Sequence, residues 1–197
     1  MERKSLRKKI DSRIVRTKRD LANALETLLE KKSFEDITIK EICEQAMVAK
    51  LTFYNNFKDK NDLLVYLFER LSEPLYEQLK EMSSSEPNSG LAYKDALTIV
   101  VHYFYLNKEK FRSMISNDKT YLIYWSLNNF ISEITPQIAE LYSNLNKSIK
   151  VPKEIASAYV SGVISTILYK APTFKKYTEE EFVSYIYQLT TGKIFNA

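Results

Sequence analysis

Apolar residues in the first part of the chain recur every three or four positions, the spacing of one face of an α-helix. Over residues 12–31 this repeat puts Leu21, Leu25 and Leu28 on one face and predicts a first helix. Further helices are predicted over 38–46, 49–56 and from 59 to about 82. Pro74 is expected to kink or interrupt the last of these. The second and third are too short to be stable alone, because an isolated helix needs about 12 to 15 residues. They must therefore pack on their longer neighbours.

The helical pattern resumes after the stretch SSSEPNSG at 83–90, which is the one clear loop of the chain. It predicts helices over residues 92–106, 108–116, 119–146 with a break near Pro136, 152–171 and 178–195. No stretch alternates apolar and polar residues over a strand's length. The sequence has only 3 Gly and 5 Pro, too few for a fold with many turns. We therefore predict an all-α protein of about nine helices.

Cysteine content and hydropathy bear on the compartment. The single cysteine, Cys43, cannot form an internal disulfide, which favours a reducing environment. The basic N-terminus lacks the apolar segment of a signal peptide. The longest nearly apolar run, residues 97–106, is too short to cross a bilayer. These features predict a cytoplasmic protein without a membrane partner.

Positive charge is concentrated in the first third of the chain. Residues 1–60 contain fifteen Lys or Arg and ten Asp or Glu, a net charge of +5, whereas residues 61–197 contain fourteen and fifteen, a net charge of −1. Nine of the basic residues lie within the first 19 positions. Such a segment is typical of proteins that bind a polyanion, and the alternative is a solvated tail with no partner.

The two short predicted helices carry a distinctive pattern. Thr38 and Glu41 have the spacing of a capping box, which begins the second helix. On the third helix Phe53 and Phe57 face inward. The opposite, outer face carries Leu51, Tyr54 and Asn55, flanked by Lys50 and Thr52. Two short helices joined by a tight turn and braced by longer ones form a helix-turn-helix.

These residues resemble the TetR-type family of bacterial repressors over about residues 14–68. The resemblance rests on Thr38, Ile42, Ala46 and Val48, and on the ordered string T-F-Y-x-x-F-x-x-K-x-x-L-L from Thr52 to Leu64. It implies a DNA-binding domain over residues 1–60 and a helical regulatory and dimerisation domain over residues 61–197. It also implies DNA-binding roles for seven residues: Lys50, Leu51 and Thr52 in the major groove, and Thr38, Tyr54, Asn55 and Lys60 at phosphates.

Three residues depart from the family pattern. Met47 occupies the turn position where glycine is usual, so it must avoid the left-handed region or accept strain. Ala49 replaces the small polar residue that caps the third helix, and Leu51 replaces a small residue. These differences bear on which DNA sequence is bound more than on whether DNA is bound.

The C-terminal two thirds resemble the family only in being helical. The last two helices carry a broad apolar surface with a stripe of small residues, which predicts a homodimer through these helices; the alternative is that they close the core of one subunit. The family also encloses a small inducer in this region. Aromatic side chains with polar tips suit an apolar or planar ligand, and the best candidates are His102, Tyr105, Tyr121, Tyr124 and Trp125.

The predicted function is therefore that of a dimeric, ligand-responsive transcription regulator. On this interpretation the protein is a repressor released from a palindromic DNA operator by a small inducer, without a cofactor. The alternative is an adaptor or coactivator that has lost DNA binding and grips a protein partner, which Met47, Ala49 and Leu51 would allow. An enzyme is disfavoured, because a single His102 and a single Cys43 provide no catalytic set and no metal site. The sequence also lacks an acidic cluster of the kind that would suggest a cationic ligand.

Overall fold

The computed structural model describes residues 12–85, 90–119, 121–132, 152–170 and 177–191, and all bounds below refer to these residues. They form nine helical segments, and none of them lies in a β-strand, which confirms the all-α prediction. The segments are α1 (Ser12–Leu29), α2 (Ile39–Gln45), α3 (Lys50–Tyr54), α4 (Lys60–Ser85), α5 (Gly90–Leu106), α6 (Lys108–Ser116), α7 (122–132), α8 (Lys153–Lys170) and α9 (Glu179–Thr191).

Most predicted helices lie within a few residues of the observed ones. The clearest difference is in α4, which Pro74 does not interrupt, because the helix continues through this residue to Ser85. The break expected near Pro136, the first eleven residues of the basic arm and the end of the last predicted helix lie outside the described residues. The chain forms two compact units, one up to Leu67 and one from Phe68 onward, and the boundary between them falls within the sequence of α4.

The first unit is built around the apolar face of α1. Leu21, Leu25 and Leu29 are at most 1% exposed, whereas Ile14, near the start of the same helix, is 48% exposed. After α1 the chain turns, and Phe34 and Ile37 anchor this turn in the core, where they are 3% and 1% exposed. The turn delivers the chain to Thr38, where α2 begins.

The second unit is held by contacts between helices that are distant in sequence. The hydroxyl of Tyr93, which is fully buried on α5, donates to Oγ1 of Thr190 on α9 at 2.7 Å. The rings of Phe104 and Phe111 pack with centroids 4.5 Å apart. On α7, Nδ2 of Asn128 donates to Oγ of Ser165 on α8 at 2.8 Å. These contacts form a core of aromatic rings with a few satisfied polar groups.

The eighth helix has two apolar faces. Val160, Ile164 and Leu168 are buried against the unit's own core. Ile155 and Tyr159 are 60% and 49% exposed on a different face of the helix. A helix with one face buried and another apolar face left in water has more apolar surface than its own unit covers.

Candidate functional site

The turn between α2 and α3 keeps its tight geometry despite the missing glycine. Met47 adopts a φ of 53°, so it accepts the left-handed conformation. Its N–H donates to the carbonyl of Glu44 at 3.2 Å, and the N–H of Val48 donates to that of Cys43 at 3.0 Å. This is a Schellman ending for α2, which normally has glycine at the left-handed position. The methionine side chain lies 91% exposed beside the start of α3.

The outer face of α3 presents the residues that the sequence placed there. Phe53 is 0% exposed and packs edge-on against Tyr54 at a centroid distance of 5.5 Å, with Phe57 also buried behind the helix. Leu51 is 71% exposed and Tyr54 is 51% exposed. Four further candidate residues flank these two: Lys50 and Asn55 are exposed and Thr52 is half-buried on α3, and Thr38 is exposed at the start of α2.

The predicted capping box at the start of α2 is present. The Thr38 hydroxyl accepts from the N–H of Glu41 at 3.2 Å, and the Glu41 carboxylate accepts from the Thr38 N–H at 2.9 Å and from its hydroxyl at 2.8 Å. Glu41 also pairs with Lys32. The Lys32 ammonium, followed by the Thr38 donors, lowers the pKa of Glu41 to about 2. Because the Thr38 hydroxyl already donates to Glu41, a phosphate bound by it must displace that carboxylate.

Lys60 is held by the protein rather than extended into solvent. Its Nζ donates to the carbonyl oxygens of Phe34 at 2.6 Å, Ile37 at 2.7 Å and Glu35 at 3.1 Å, and it lies 4.6 Å from the centroid of the Phe34 ring. Burial lowers the pKa of the Lys60 ammonium, although the nearby carboxylates oppose that shift. All three hydrogens of the ammonium therefore have a carbonyl acceptor in the turn that leads to α2.

The start of α4 is already capped by a carboxylate. Oδ1 of Asp59 accepts from the N–H groups of Asn61 and Asp62, both at 2.9 Å, as expected of an N-cap. An anion at this helix end therefore meets N–H groups that have a partner and a negative charge beside them. In this respect the geometry is less favourable to a phosphate than a free helix end would be.

The described part of the basic segment packs along the first unit. Nζ of Lys18 lies over the rings of Phe57 and Tyr66, 5.2 and 5.5 Å from their centroids. Arg16 and Arg19 both approach the carboxylate of Asp20, at 3.7 and 3.6 Å. The other basic residues of the first eleven positions lie outside the described residues.

The five candidate ligand residues fall into two sets on different elements. In the first set, Nδ1 of His102 lies 2.9 Å from Oε1 of Glu179, and the Tyr105 hydroxyl donates to the carbonyl of Tyr177 at 2.8 Å. The Tyr105 ring also packs edge-on against Phe182. These contacts attach the start of α9 to α5, so the polar tips of His102 and Tyr105 have partners within the protein.

The second set surrounds a carboxylate that the sequence did not single out. Oδ2 of Asp118 accepts from the Tyr169 hydroxyl and from the Tyr124 N–H, both at 3.2 Å. The Tyr169 ring lies 5.2 Å from that of Tyr124 and 6.3 Å from that of Tyr121, and the rings of Tyr124 and Trp125 are 5.6 Å apart. We call Asp118, Tyr121, Tyr124, Trp125 and Tyr169 the Asp118 cluster.

Sequence reasoning missed two members of the Asp118 cluster, for understandable reasons. Tyr169 lies 51 positions from Asp118, and only the packing of α8 beside the start of α7 brings them together. Asp118 lies between the predicted helices ending at 116 and beginning at 119, where an aspartate commonly caps the next helix. This position between two helices was the one feature of the sequence that could have drawn attention to Asp118.

Two further observations limit the chemistry of the described residues. Within the described ranges, no group of three or more His, Cys, Asp or Glu side chains is placed to hold a metal ion. In the same part of the chain, no helix combines the length and the apolar character needed to cross a membrane.

Comparison with known proteins places the first unit in a family. The model of the bacterial regulatory proteins of the tetR family matches residues 17–67. YxbF of Bacillus subtilis (strain 168), named as an HTH-type transcriptional regulator, is 26% identical over 194 residues. That match covers 91% of this chain but 47% of YxbF, so the chain spans about half the length of that relative.

Two other proteins extend the likeness. The HTH-type dhaKLM operon transcriptional activator DhaS of Lactococcus lactis is 22% identical over 138 residues, 67% of this chain and 70% of DhaS. A crystal structure of a TetR-family transcriptional regulator from Syntrophomonas wolfei superposes with a TM-score of 0.70 at 20% identity, covering 88% of this chain and 92% of that one. All three proteins are named as transcriptional regulators, which agrees with the prediction that this chain is not an enzyme. The residues that form the helix-turn-helix unit therefore match the tetR family of bacterial regulatory proteins.

Proposed function

We propose that this protein is a dimeric transcription regulator that binds a palindromic DNA operator through α3 and responds to a small ligand in its second unit. The observation that carries the proposal is the outer face of α3. Lys50, Leu51 and Tyr54 project from a helix of five residues whose other side is secured by the fully buried Phe53. A short, rigid and exposed helix of this kind fits the major groove of B-form DNA.

The exposed side chains suggest distinct roles at the DNA. Lys50 can donate to O6 and N7 of guanine, and Leu51 can contact the methyl group of thymine. The hydroxyl of Tyr54 can donate to a phosphate while its ring rests against Phe53, and Asn55 can do the same from the end of the helix. Thr52, Thr38 and Lys60 remain proposed contacts, the last two at the cost of the internal hydrogen bonds that they now make.

The proposed dimer rests on surface that one subunit leaves uncovered. Ile155 and Tyr159 on α8, and Tyr185 and Leu189 on α9, are between 36% and 60% exposed. Gly162 lies in the middle of α8, where glycine weakens a helix by about 1 kcal/mol, yet a Cβ added there would meet nothing within 4 Å. A second copy of α8 that approaches closely at this point would explain why a side chain is absent.

Selection of bound duplexes from a random DNA pool tests the DNA-binding proposal directly. We expect a palindromic consensus whose affinity falls by about 100-fold or more in the double variant Lys50→Ala/Tyr54→Ala, through loss of base and phosphate contacts in both half-sites. Lys31→Ala, which removes the same charge from the end of α1, is the matched control and should change affinity far less. Equal affinity of the double variant and the control would contradict the role of α3.

A substitution at Gly162 tests the dimer without disturbing the subunit. Because its surroundings are open, Gly162→Leu should leave the subunit folded while blocking close approach of a second helix. Sedimentation should then show a dimer for the wild type and a monomer for the variant, with operator affinity reduced in parallel. A variant that remains fully dimeric would place the interface elsewhere.

An adaptor that binds a protein partner remains the second candidate. Met47, Leu51 and Tyr54 together expose much apolar surface next to α3, which suits a protein contact as well as thymine methyl groups. Recovery of no consensus at low salt, from protein that is dimeric and folded, would favour the adaptor.

Whether a DNA-bound form represses or activates transcription depends on the position of its operator relative to a promoter. The proposal follows the family in favouring a repressor released by a ligand.

A further inference from the structure

The Asp118 cluster combines aromatic surface that is open to solvent with a carboxylate placed behind it. Tyr121 and Trp125 are 56% and 59% exposed, although aromatic side chains of this size are usually covered. Tyr169, by contrast, is buried and joins the exposed rings to the carboxylate through its hydroxyl. The cluster therefore has an open side made of ring surface and a closed side that carries negative charge.

The carboxylate of Asp118 is only half satisfied. Oδ2 has two donors, but Oδ1 is buried and has no hydrogen-bond partner among the residues that the structure describes. A buried oxygen without a partner costs free energy that the fold does not recover locally. The proximity of this charge also acts on its neighbours, because burial and then the Asp118 carboxylate raise the pKa of the Tyr169 hydroxyl.

The backbone beside the cluster is strained. Tyr121 has a φ of 61°, in the left-handed region that bulky residues rarely adopt. The chain continues from Tyr121 directly into α7, whose first turn includes the Tyr124 N–H that binds Asp118. Strain of this kind is found most often where a ligand or a switch uses the resulting geometry.

We propose that the Asp118 cluster binds an organic cation with a methylated ammonium group, held against the faces of Tyr121, Tyr124 and Trp125. Aromatic faces carry negative electrostatic potential and attract such cations, and the unpaired carboxylate behind the rings strengthens that potential. A methylated ammonium suits a site of rings better than a metal ion or a primary amine does, since it needs few hydrogen bonds and is easily desolvated. This inference names the ligand class of the proposed regulator, and the regulatory part of it rests on that proposed function.

A lysine of the protein already uses one face of the cluster. Nζ of Lys170 lies 5.4 Å from the centroid of the Tyr169 ring, within the range of a cation–π contact. Lys170 engages the buried ring rather than the exposed ones, so the surfaces of Tyr121 and Trp125 are available to a ligand. Removing this nearby positive charge, as in Lys170→Met, should strengthen binding of an added cation by a few fold, because the two cations repel each other.

The single tryptophan of the chain makes the proposal directly measurable. Trp125 belongs to the cluster, so its fluorescence should change when a ligand binds there. We would titrate the full chain with choline and, in parallel, with 3,3-dimethylbutan-1-ol, which has the same shape but carbon in place of the charged nitrogen. We expect a saturable change in Trp125 emission with choline, and affinity for the neutral compound that is weaker by about tenfold.

Two variants and one control locate the binding. Asp118→Asn keeps the shape of the side chain and should weaken choline binding by about tenfold, and Tyr121→Leu, at an exposed position, should do the same by removing a ring. Asp95→Asn removes an equal charge from an exposed site on α5 and should bind choline as the wild type does. Circular dichroism confirms that each variant is folded.

Three outcomes would overturn the proposal. They are equal affinity for the charged and neutral compounds, no saturable change in the folded wild type at any millimolar concentration of choline, and unaltered binding in both cluster variants. The titration contains no DNA, so its failure is separate from failure of the DNA-binding proposal. A choline-dependent change in operator affinity that Asp118→Asn removes would then connect the two.

Discussion

The two units of this protein present their candidate sites in different ways. In the first unit, all seven proposed DNA-binding residues lie between positions 38 and 60, at the N-cap of α2, on α3 and its C-cap, and at the start of α4. In the second unit, the contacts that build the candidate ligand surfaces join residues 51 positions apart, as for Asp118 and Tyr169, or 77 apart, as for His102 and Glu179. A local site can be recognised as a motif, whereas a site assembled from distant residues cannot.

The difference follows from how each unit is stabilised. The ends of α2 and the start of α4 are defined by hydrogen bonds between near neighbours, such as the capping box of Thr38 and Glu41. The second unit instead depends on long-range pairs such as Tyr93 and Thr190. We therefore expect Trp125 emission, which comes from the second unit, to follow unfolding of that unit. A substitution in the first unit should change DNA affinity or the first unfolding transition without changing that emission.

The largest expected effect comes from removing the ring behind α3. Phe53→Ala should destabilise the first unit by about 3 to 5 kcal/mol, because Phe53 is fully buried and a cavity would remain. Urea unfolding followed by circular dichroism should show an early transition, while Trp125 emission stays native over the same range. Simultaneous loss of both signals would mean that the two units unfold together.

Lys60 offers the next test, and it separates two roles of one residue. Lys60→Met should destabilise the first unit by about 2 kcal/mol, since three carbonyls lose a charged donor. If Lys60 contributes only by holding this turn, the slope of log DNA affinity against log salt concentration should be the same in the variant and the wild type. A slope lower by about one unit, with stability retained, would instead indicate a phosphate contact. Lys58→Met, at an exposed neighbouring position, is the control.

Tyr93 provides the matching test in the second unit. Tyr93→Phe removes only the hydroxyl that donates to Thr190 and should cost about 1 kcal/mol. The loss should appear in unfolding followed by Trp125 emission. DNA affinity measured under stable conditions should be unaffected, and a marked loss of operator binding would show that the division between the units is less complete than proposed.

Met47 should give a smaller effect of opposite sign. Met47→Gly relieves the left-handed strain at the turn and should stabilise the first unit by about 0.5 to 1 kcal/mol. Thermal unfolding followed by circular dichroism measures this gain. Val48→Gly, one residue later and outside the left-handed region, should destabilise the unit instead. If Met47→Gly also destabilises it, the methionine side chain contributes packing that its 91% exposure does not suggest.

The smallest expected effect is the pH dependence of the capping box. The pKa of Glu41 falls from 4.5 to about 2 in the folded protein, so its contribution to stability is complete above about pH 4.5 and is lost as the pH falls toward 2. Glu41→Gln should therefore melt at a lower temperature than the wild type at pH 6. The two melting temperatures should converge as the pH approaches 2, and a constant difference would assign the effect to packing rather than to charge.

The sequence by itself determined the helical class, the start of α2 at Thr38 and the inward and outward faces of α3. All of these depend on residues within one or two helical turns, where spacing alone decides which groups meet. The sequence also raised the question of Met47 but did not answer it, because only the closed turn shows that the left-handed conformation is kept.

Tertiary structure decided what distant residues do. It turned Lys60 toward the carbonyls of the turn at 34–37, divided α8 into a buried and an exposed apolar face, and separated His102 and Tyr105 from the other aromatic candidates. It also brought Asp118 beside Tyr169 and left one oxygen of the Asp118 carboxylate without a hydrogen-bond partner in the described part of the chain. Periodicity shows which side of a helix is apolar, but the partner that covers that side is chosen only when the helices pack.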